Sequence, residues 1–323
     1  MSDLYPLRFA PIFRRYLWGG RRLGTVLQKP VGPEPVCAES WELVDRGADQ
    51  SHVLYGAQSG KSLSELMKTH GATLLGQHES HSRFPLLFKL LDAEQMLSVQ
   101  VHPNDAQAAS MAMPDFGKTE AWVVLAAEPG SLIYAGLRPG VNRAKLESAL
   151  ASGTCEECLH SFQPKVGDCF FLPAGIVHAL GAGLLIAEVQ QSSDTTFRLF
   201  DWNRIDAGGQ PRPLHVAQAL QVIDFTQGPV AAQIPIKTST PFRTELVRCE
   251  QFVLDQLSID APTELGGDDR FHFLLVVEGT VSIAGDPAPN GLSTGMTALI
   301  PASVGPVLVS PTGKATLLDV YLP

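Results

Sequence analysis

The feature that most narrows what this chain can fold into is a phrase written twice. Residues 167–178 read GDCFFLPAGIVH, and residues 295–306 read GMTALIPASVGP. A glycine opens each copy (Gly167, Gly295) and a proline follows six residues later (Pro173, Pro301), with Gly175 or Ser303 two further on. Glycine supplies a turn and proline cannot donate to a strand ladder, so each copy reads as a turn, a short apolar strand and a second, proline-bounded turn. A strand–turn–strand rhythm precedes both copies, TEAWVVLAAEPGSLIYAG at 119–136 and FHFLLVVEGTVSIAG at 271–285. The pattern predicts a mainly β chain built as two small antiparallel barrels of the jelly-roll type, closed so that strand edges are paired. The copies part at their last residue, which is His178 in the first and Pro306 in the second.

A chain of 323 residues is long enough for about two domains, each with its own core. The boundary is expected within TQGPVAAQIPIKTSTP, dividing a unit at 1–235 from one at 236–323. Helical spacing is confined to 62–75, 142–152 and 213–223, and IDAGGQPRP at 205–213 reads as a turn-rich bridge. The first unit therefore carries helical insertions, and the second is close to a bare barrel.

Charge and composition exclude several function classes. The net charge is −9, which argues against a nucleic-acid surface, although local Arg or Lys can still hold a small anion. No apolar run reaches the ~18 residues of a membrane span, and Pro and Arg interrupt the N-terminal segment where a signal peptide would need an apolar core. Five cysteines do not make a disulfide framework, so a cytoplasmic protein with reduced thiols is expected; its oligomeric state is open. Cys155 and Cys158 have CxxC spacing but no second pair, which disfavours a zinc ribbon. YGAQSGKS ends like a phosphate loop, but Tyr55 stands where that loop needs glycine, so the segment reads as the approach to a helix. His52, His70, His78, His81 and His160 read as surface or loop residues.

The first copy of the phrase resembles the cupin motif, in which Gly, Pro, Gly and His recur at these intervals. It departs from that pattern at Ala182, where an Asn is usual. Cupins carry an earlier pair of ligands two residues apart and then a carboxylate; here LSVQVHPND offers Gln100 and His102, and GKTEAW offers Glu120. Residues two apart on a strand face the same side. Gln100, His102, Glu120 and His178 thus form an N/O donor set suited to a divalent transition metal. A lone histidine in a β core more often packs than ligates; it is the coincidence with the Gln-x-His pair and Glu120 that marks His178. The second copy, with Pro306 at the matching turn and only His272 nearby, reads as structural.

Taken in order, KLLDAEQMLSVQVHPND, GKTEAW, GDCFFLPAGIVHALGAG and EVQQSSDTTFRLFDWNR resemble the type I phosphomannose isomerases, in a short bacterial form; YLWGG (16–20) and ESWEL (39–43) fit as well. The resemblance implies a zinc enzyme, with one Zn²⁺ per chain on Gln100, His102, Glu120 and His178, that interconverts mannose 6-phosphate and fructose 6-phosphate through a cis-enediol. It also implies site roles for Arg198, Lys118 and Glu188, with Ser98, Lys89 and Arg204 as contacts for the substrate phosphate. The base that moves the carbon-bound proton stays open among Glu188, Lys118 and a zinc-bound water. Two other readings compete: a non-haem iron oxygenase, which also uses two histidines and a carboxylate, and a non-catalytic sugar-binding cupin.

Overall fold

The computed structural model describes residues 4–112, 114–205 and 209–323. The expected turn-rich bridge at 205–213 therefore lies partly outside the described residues. The chain is mainly β. In its first part, a six-stranded sheet runs in the order Ile12–Arg14, Glu39–Leu43, Leu86–Ala93, Leu184–Gln191, Glu120–Ala127, Cys169–Leu172. A five-stranded sheet runs Phe197–Phe200, Val99–Val101, His178–Leu180, Ile133–Leu137, Leu159–Phe162. The second part repeats the plan with a six-stranded sheet, Ile236–Lys237, Arg243–Arg248, Val253–Ile259, Ala315–Tyr321, His272–Glu278, Thr297–Ile300, and a four-stranded one. The four longer sheets are separate, and no closed ring of strands is formed among the described residues. The mainly β expectation holds, whereas closed barrels are not what the pairing shows.

Leu86–Ala93 and Leu184–Gln191 are buried at every residue, as central strands covered on both faces must be. Their two faces differ. Lys89, Glu188 and Trp122 are cross-strand partners and share one face. Phe88, Val189 and Ala121 occupy the other, in a core cluster that also contains Phe273, Leu275, Leu318 and Val320 of the second part. Phe88 and Phe273 meet at 5.0 Å between ring centroids, and Phe84 and Phe271 at 4.8 Å. The two parts are therefore joined through the apolar faces of their six-stranded sheets. The N-terminal segment adds to the joint, since Leu7 exchanges backbone hydrogen bonds with Leu299.

The repeated phrase serves the same purpose in both parts, carrying the chain from the edge of the six-stranded sheet into its partner sheet. Gly167 and Gly295 open both copies with φ of 90° and 83°, a region open to glycine. The crossings then differ. In the first, Gly175 (φ 89°) turns the chain and the next strand begins at His178. In the second, Ala302–Val304 form a 3₁₀ turn, the left-handed residue is Gly305 rather than Ser303, and the strand begins at Val307. Pro306 consequently lies just outside the strand, packed on Gly267.

All three expected helices are present. Leu63–Leu75 starts on a capping box of Ser62 and Glu65, and Arg143–Ser152 on Asn142. The third is shorter than expected, Val216–Val222. Among the described residues no helix is long and apolar enough to cross a membrane.

Candidate active site

His102 directly follows strand Val99–Val101, Glu120 opens Glu120–Ala127, and His178 opens His178–Leu180. The two histidines come from the five-stranded sheet and the carboxylate from the six-stranded one, so the group bridges the gap between sheets. The glycine turn makes this possible: Gly175 N–H donates to the His102 carbonyl at 2.9 Å and lays the two segments side by side. One potential ligand atom from each of the three side chains lies within 4.8 Å of the others, and all three are buried. Gln100 is the cross-strand partner of His178.

The tautomers follow from the hydrogen bonds. His102 Nδ1 lies 3.0 Å from the Thr195 carbonyl and His178 Nδ1 lies 2.9 Å from the Ile176 carbonyl. A carbonyl only accepts, so each Nδ1 carries a proton, and in the neutral ring each Nε2 is the nitrogen left to present a lone pair. His178 Nε2 then faces Glu120 Oε1 at 3.2 Å, and His102 Nε2 faces Glu120 Oε2 at 3.5 Å. His178 Nε2 and Glu120 Oε1 are buried without a hydrogen-bond partner. Lone pairs held this close in a dry interior need a shared cation or an added proton between them. Lys118 answers part of that demand: its Nζ lies 2.8 Å from Glu120 Oε2 and 3.1 Å from His102 Nε2. Burial, reinforced by Lys118, holds His102 well below its ordinary pKa and therefore neutral. Burial alone would raise Glu120, but the Lys118 charge beside it leads the opposing influences, which hold the carboxyl well below its usual range. Two imidazoles and a carboxylate are donors that fit a first-row divalent metal.

A cavity of about 310 Å³ opens beside this group, and Ser98, Lys89, Gln100, Lys118, Glu188 and Arg198 line it. Glu188 is buried in its wall. Its Oε2 accepts from Trp122 Nε1 at 2.9 Å, while Oε1 has no hydrogen-bond donor. Burial, then the nearby Glu120, raises its pKa above the ordinary carboxylate value. Lys89 Nζ stands 3.6 Å from Glu188 Oε1 and 4.9 Å from the centre of the Trp41 ring. Burial would strip the charge from Lys89, but Glu39 and Glu188 reverse this and raise its pKa. Arg198 donates to Ser98 Oγ at 3.3 Å and to the Pro213 carbonyl at 2.8 Å, which aligns its guanidinium along the cavity rim.

The structure does not bring Arg204 to this cavity. Its guanidinium is bound to Asp201 and to the Met96 carbonyl, and it lines a neighbouring depression instead. Arg212, rather than the Arg204 that the resemblance implied, reaches the cavity: it is bound to Asp201 and lines both. Nothing local in the sequence singled out Arg212, because no motif encodes the bridge between Ile205 and Pro211 that accompanies its return to Asp201. Trp18, Glu39 and Trp41, from YLWGG and ESWEL, also line the cavity.

The model of the family "phosphomannose isomerase type I, catalytic domain" matches residues 7–120. Mannose-6-phosphate isomerase ManA of Bacillus subtilis is 36% identical over 279 residues, 85% of this chain and 86% of that protein. The chain belongs to the type I phosphomannose isomerase family. It is therefore an enzyme of the isomerase class, and the oxygenase and non-catalytic readings fall away. A mannose-6-phosphate isomerase of Streptococcus mutans is 38% identical over 68% of this chain and 67% of its own length. The crystal structure of the mannose 6-phosphate isomerase from Bacillus subtilis superposes with a TM-score of 0.89 at 29% identity, covering 98% of this chain and 99% of that one.

Proposed function

We propose that this phosphomannose isomerase interconverts mannose 6-phosphate and fructose 6-phosphate through a cis-enediol, with one zinc ion per chain held by Gln100, His102, Glu120 and His178. The observation that carries the metal is the buried convergence of His178 Nε2, His102 Nε2 and the Glu120 carboxylate, with Nε2 of His178 facing Glu120 Oε1 at 3.2 Å and one potential ligand atom of each residue within 4.8 Å of the others. When bound, zinc supplies a Lewis acid that draws electron density from the sugar oxygens at C1 and C2.

The remaining chemistry belongs to the chain. Aldose–ketose exchange moves one proton between C2 and C1. Glu188 is the base of choice among the open alternatives: one oxygen is anchored on Trp122, the other is unbonded, and its raised pKa suits taking and returning a proton near neutral pH. Lys118 and Arg198 bring fixed positive charge to the side where oxygen becomes anionic. Arg198 with Ser98 and Arg212 forms the rim that suits a dianionic phosphate. Lys89, buried behind Glu188, serves that carboxylate rather than the phosphate. In this reading residues 1–235 are the catalytic unit and residues 236–323 a metal-free unit that supports it.

The test is turnover by metal-free protein reloaded with Zn²⁺, Co²⁺ or Mn²⁺ singly, with mannose 6-phosphate as substrate and fructose 6-phosphate as the product measured. Conversion restored best by Zn²⁺ is expected. Conversion unaffected by metal removal would overturn the metal assignment, and metal-loaded protein that yields no fructose 6-phosphate would overturn the reaction.

A further inference from the structure

The segment between helix Asp105–Ala109 and strand Glu120–Ala127 contains a carboxylate that the reaction does not touch. Asp115 lies where two arginines from distant parts of the chain converge: Arg46 Nη1 donates to Oδ2 at 2.8 Å and Arg83 Nη2 to Oδ1 at 2.9 Å. The Arg83 guanidinium also stacks 3.8 Å from the Phe116 ring centre, and Phe116 N–H donates to Oδ1 at 2.9 Å. The side chain of Asp115 is 9% exposed. Burial alone would raise its pKa, but the bonds from Arg83, Phe116 and Arg46 bring it down to about 2, so it is a fixed anion.

What this anion holds is a loop of the active site. Oδ2 also accepts from Ser193 Oγ at 3.2 Å and Thr195 Oγ1 at 3.1 Å. Ser193 and Thr195 flank Asp194 in the connection between strands Leu184–Gln191 and Phe197–Phe200. The Thr195 carbonyl is the group that accepts the His102 Nδ1 proton at 3.0 Å. A path of two hydrogen bonds joined by Thr195 thus runs from the arginine clamp to the imidazole: the Thr195 hydroxyl to Asp115, and His102 Nδ1 to the Thr195 carbonyl. The same carboxylate is five residues from Glu120 along the chain, so it ties the segment bearing the carboxylate ligand to the loop that orients a histidine ligand.

We propose that Asp115, clamped by Arg46 and Arg83, is a positioning residue that fixes the tautomer and aim of His102 through Thr195. The inference rests on the metal reading above, but it makes a claim about the metal-free protein too: His102 is held as the Nδ1–H tautomer before any ion arrives. Outer partners of ligating histidines typically contribute about 10–100-fold to metal affinity.

The experiment has two readouts besides turnover. Nitrogen-15 NMR of the imidazoles in metal-free protein reports which ring nitrogen of His102 is protonated. Competition with a chromophoric chelator gives the Zn²⁺ dissociation constant. In wild type the Nδ1–H form is expected. Asp115→Asn should give mixed tautomers and Zn²⁺ binding weaker by about tenfold or more. Thr195→Val removes the hydroxyl but keeps the carbonyl and the arginine clamp; it should weaken binding in the same direction. The double variant should be little worse than Asp115→Asn alone, because both changes cut one path. If Asp115→Asn does not fold, Thr195→Val carries the test by itself. An unaltered tautomer with affinity within twofold of wild type in the variants that fold would overturn the proposal. Wild-type protein that fails to bind Zn²⁺ sinks the metal reading instead, and the tautomer measurement still decides the role of Asp115.

Discussion

The two halves of the molecule put charge at the same places in the same sheet and arrive at opposite results. Glu120 pairs with Leu172, the residue before the proline of the first phrase, and His272 pairs with Ile300, the residue before the proline of the second. Two residues on, Trp122 faces Glu188 and Leu274 faces Asp319. One strand further, Glu188 faces Lys89 and Asp319 faces Asp255. In the first half these groups leave acceptors unmet: Glu120, His178 and Glu188 each keep a buried atom with no donor. In the second half they close on one another. His272 Nδ1 donates to Asp319 at 2.9 Å and Nε2 to Asp268 at 3.1 Å, while Arg243 spans Asp255 and Asp319, and Tyr321 hydroxyl donates to Asp255 at 2.9 Å. Where a cation and a substrate are proposed to enter, the electrostatic demand stays open; in the second half it is met mostly from within, with Asp255 Oδ1 the carboxylate oxygen of this network left without a donor.

That contrast is broken most severely at His178. His178→Ala removes the proposed ligand whose Nε2 faces Glu120, so metal content should fall and turnover drop by about a thousandfold or more, since a metal contributes several kcal/mol to such a barrier. The sheets should persist, because only a small cavity beside the five-stranded sheet is created. Metal analysis and circular dichroism of the purified variant check this. Stoichiometric metal with normal turnover would make the unmet acceptors a packing detail and erase the distinction between the halves.

The next effect lies on the other side. Asp319→Asn leaves His272 and Arg243 facing each other's charge in a buried place, and breaking a buried pair in this way costs about 3–5 kcal/mol. Urea unfolding should show that loss, while kcat per folded molecule stays within about twofold. A variant that folds as well as wild type but turns over slowly would mean that the second half takes part in the reaction.

The same network predicts a pH dependence. Burial works against a charged His272, but Asp319 first, and then Asp268, overcome it and raise its pKa to about 9. A folded pKa above the unfolded value of about 6.5 contributes stability that is complete below pH ~6.5 and is lost as pH rises through about 9. Unfolding free energy should therefore fall by ~2–3 kcal/mol between pH 6.5 and 9.5, and His272→Gln should flatten that slope. An equal slope in the variant would assign it to other groups.

How much of this the sequence discloses depends on distance along the chain. His102, Glu120 and His178 are visible because ligand spacing on strands and the glycine–proline frame are local, and the structure brings those three side chains together as expected. Pro306 differs from His178 in position as well as in type: the second crossing is one residue longer between its proline and the next strand, so residue 306 lies just before the strand rather than in it. Separate sheet pairs in place of closed rings were not readable, since apolar alternation fixes which residues face a core but not whether edge strands meet. Arg212 and Asp115 were invisible because each acts through partners outside its own local pattern, Asp201 11 residues away in one case and Arg46 and Arg83, 69 and 32 residues away, in the other. The ion network around Asp319 was hidden for the same reason: alternating apolar and acidic residues on an inner strand look alike whether or not an arginine closes over them.

The smallest expected effect concerns the one cysteine pair with metal-like spacing, and it sharpens the comparison by asking whether any polar chemistry lies outside the two polar centres. Cys155 and Cys158 sit in a 3₁₀ turn against helix Arg143–Ser152, within a core cluster that contains Leu146, Leu159 and Val177 on the outer side of the five-stranded sheet. Burial, and then the neighbouring Cys158, push the Cys155 thiol up to about 12, so it stays protonated and is a poor metal ligand and a poor nucleophile. Cys155→Ser places a hydroxyl in that apolar setting and should lower stability by about 1–2 kcal/mol, whereas Cys158→Ser, nearer the surface, should cost less. Neither should change kcat or metal content. Thermal unfolding and a zinc assay on the same samples separate the outcomes: a loss of metal on either substitution would reveal a second ligand group that the packing of this turn gives no reason to expect.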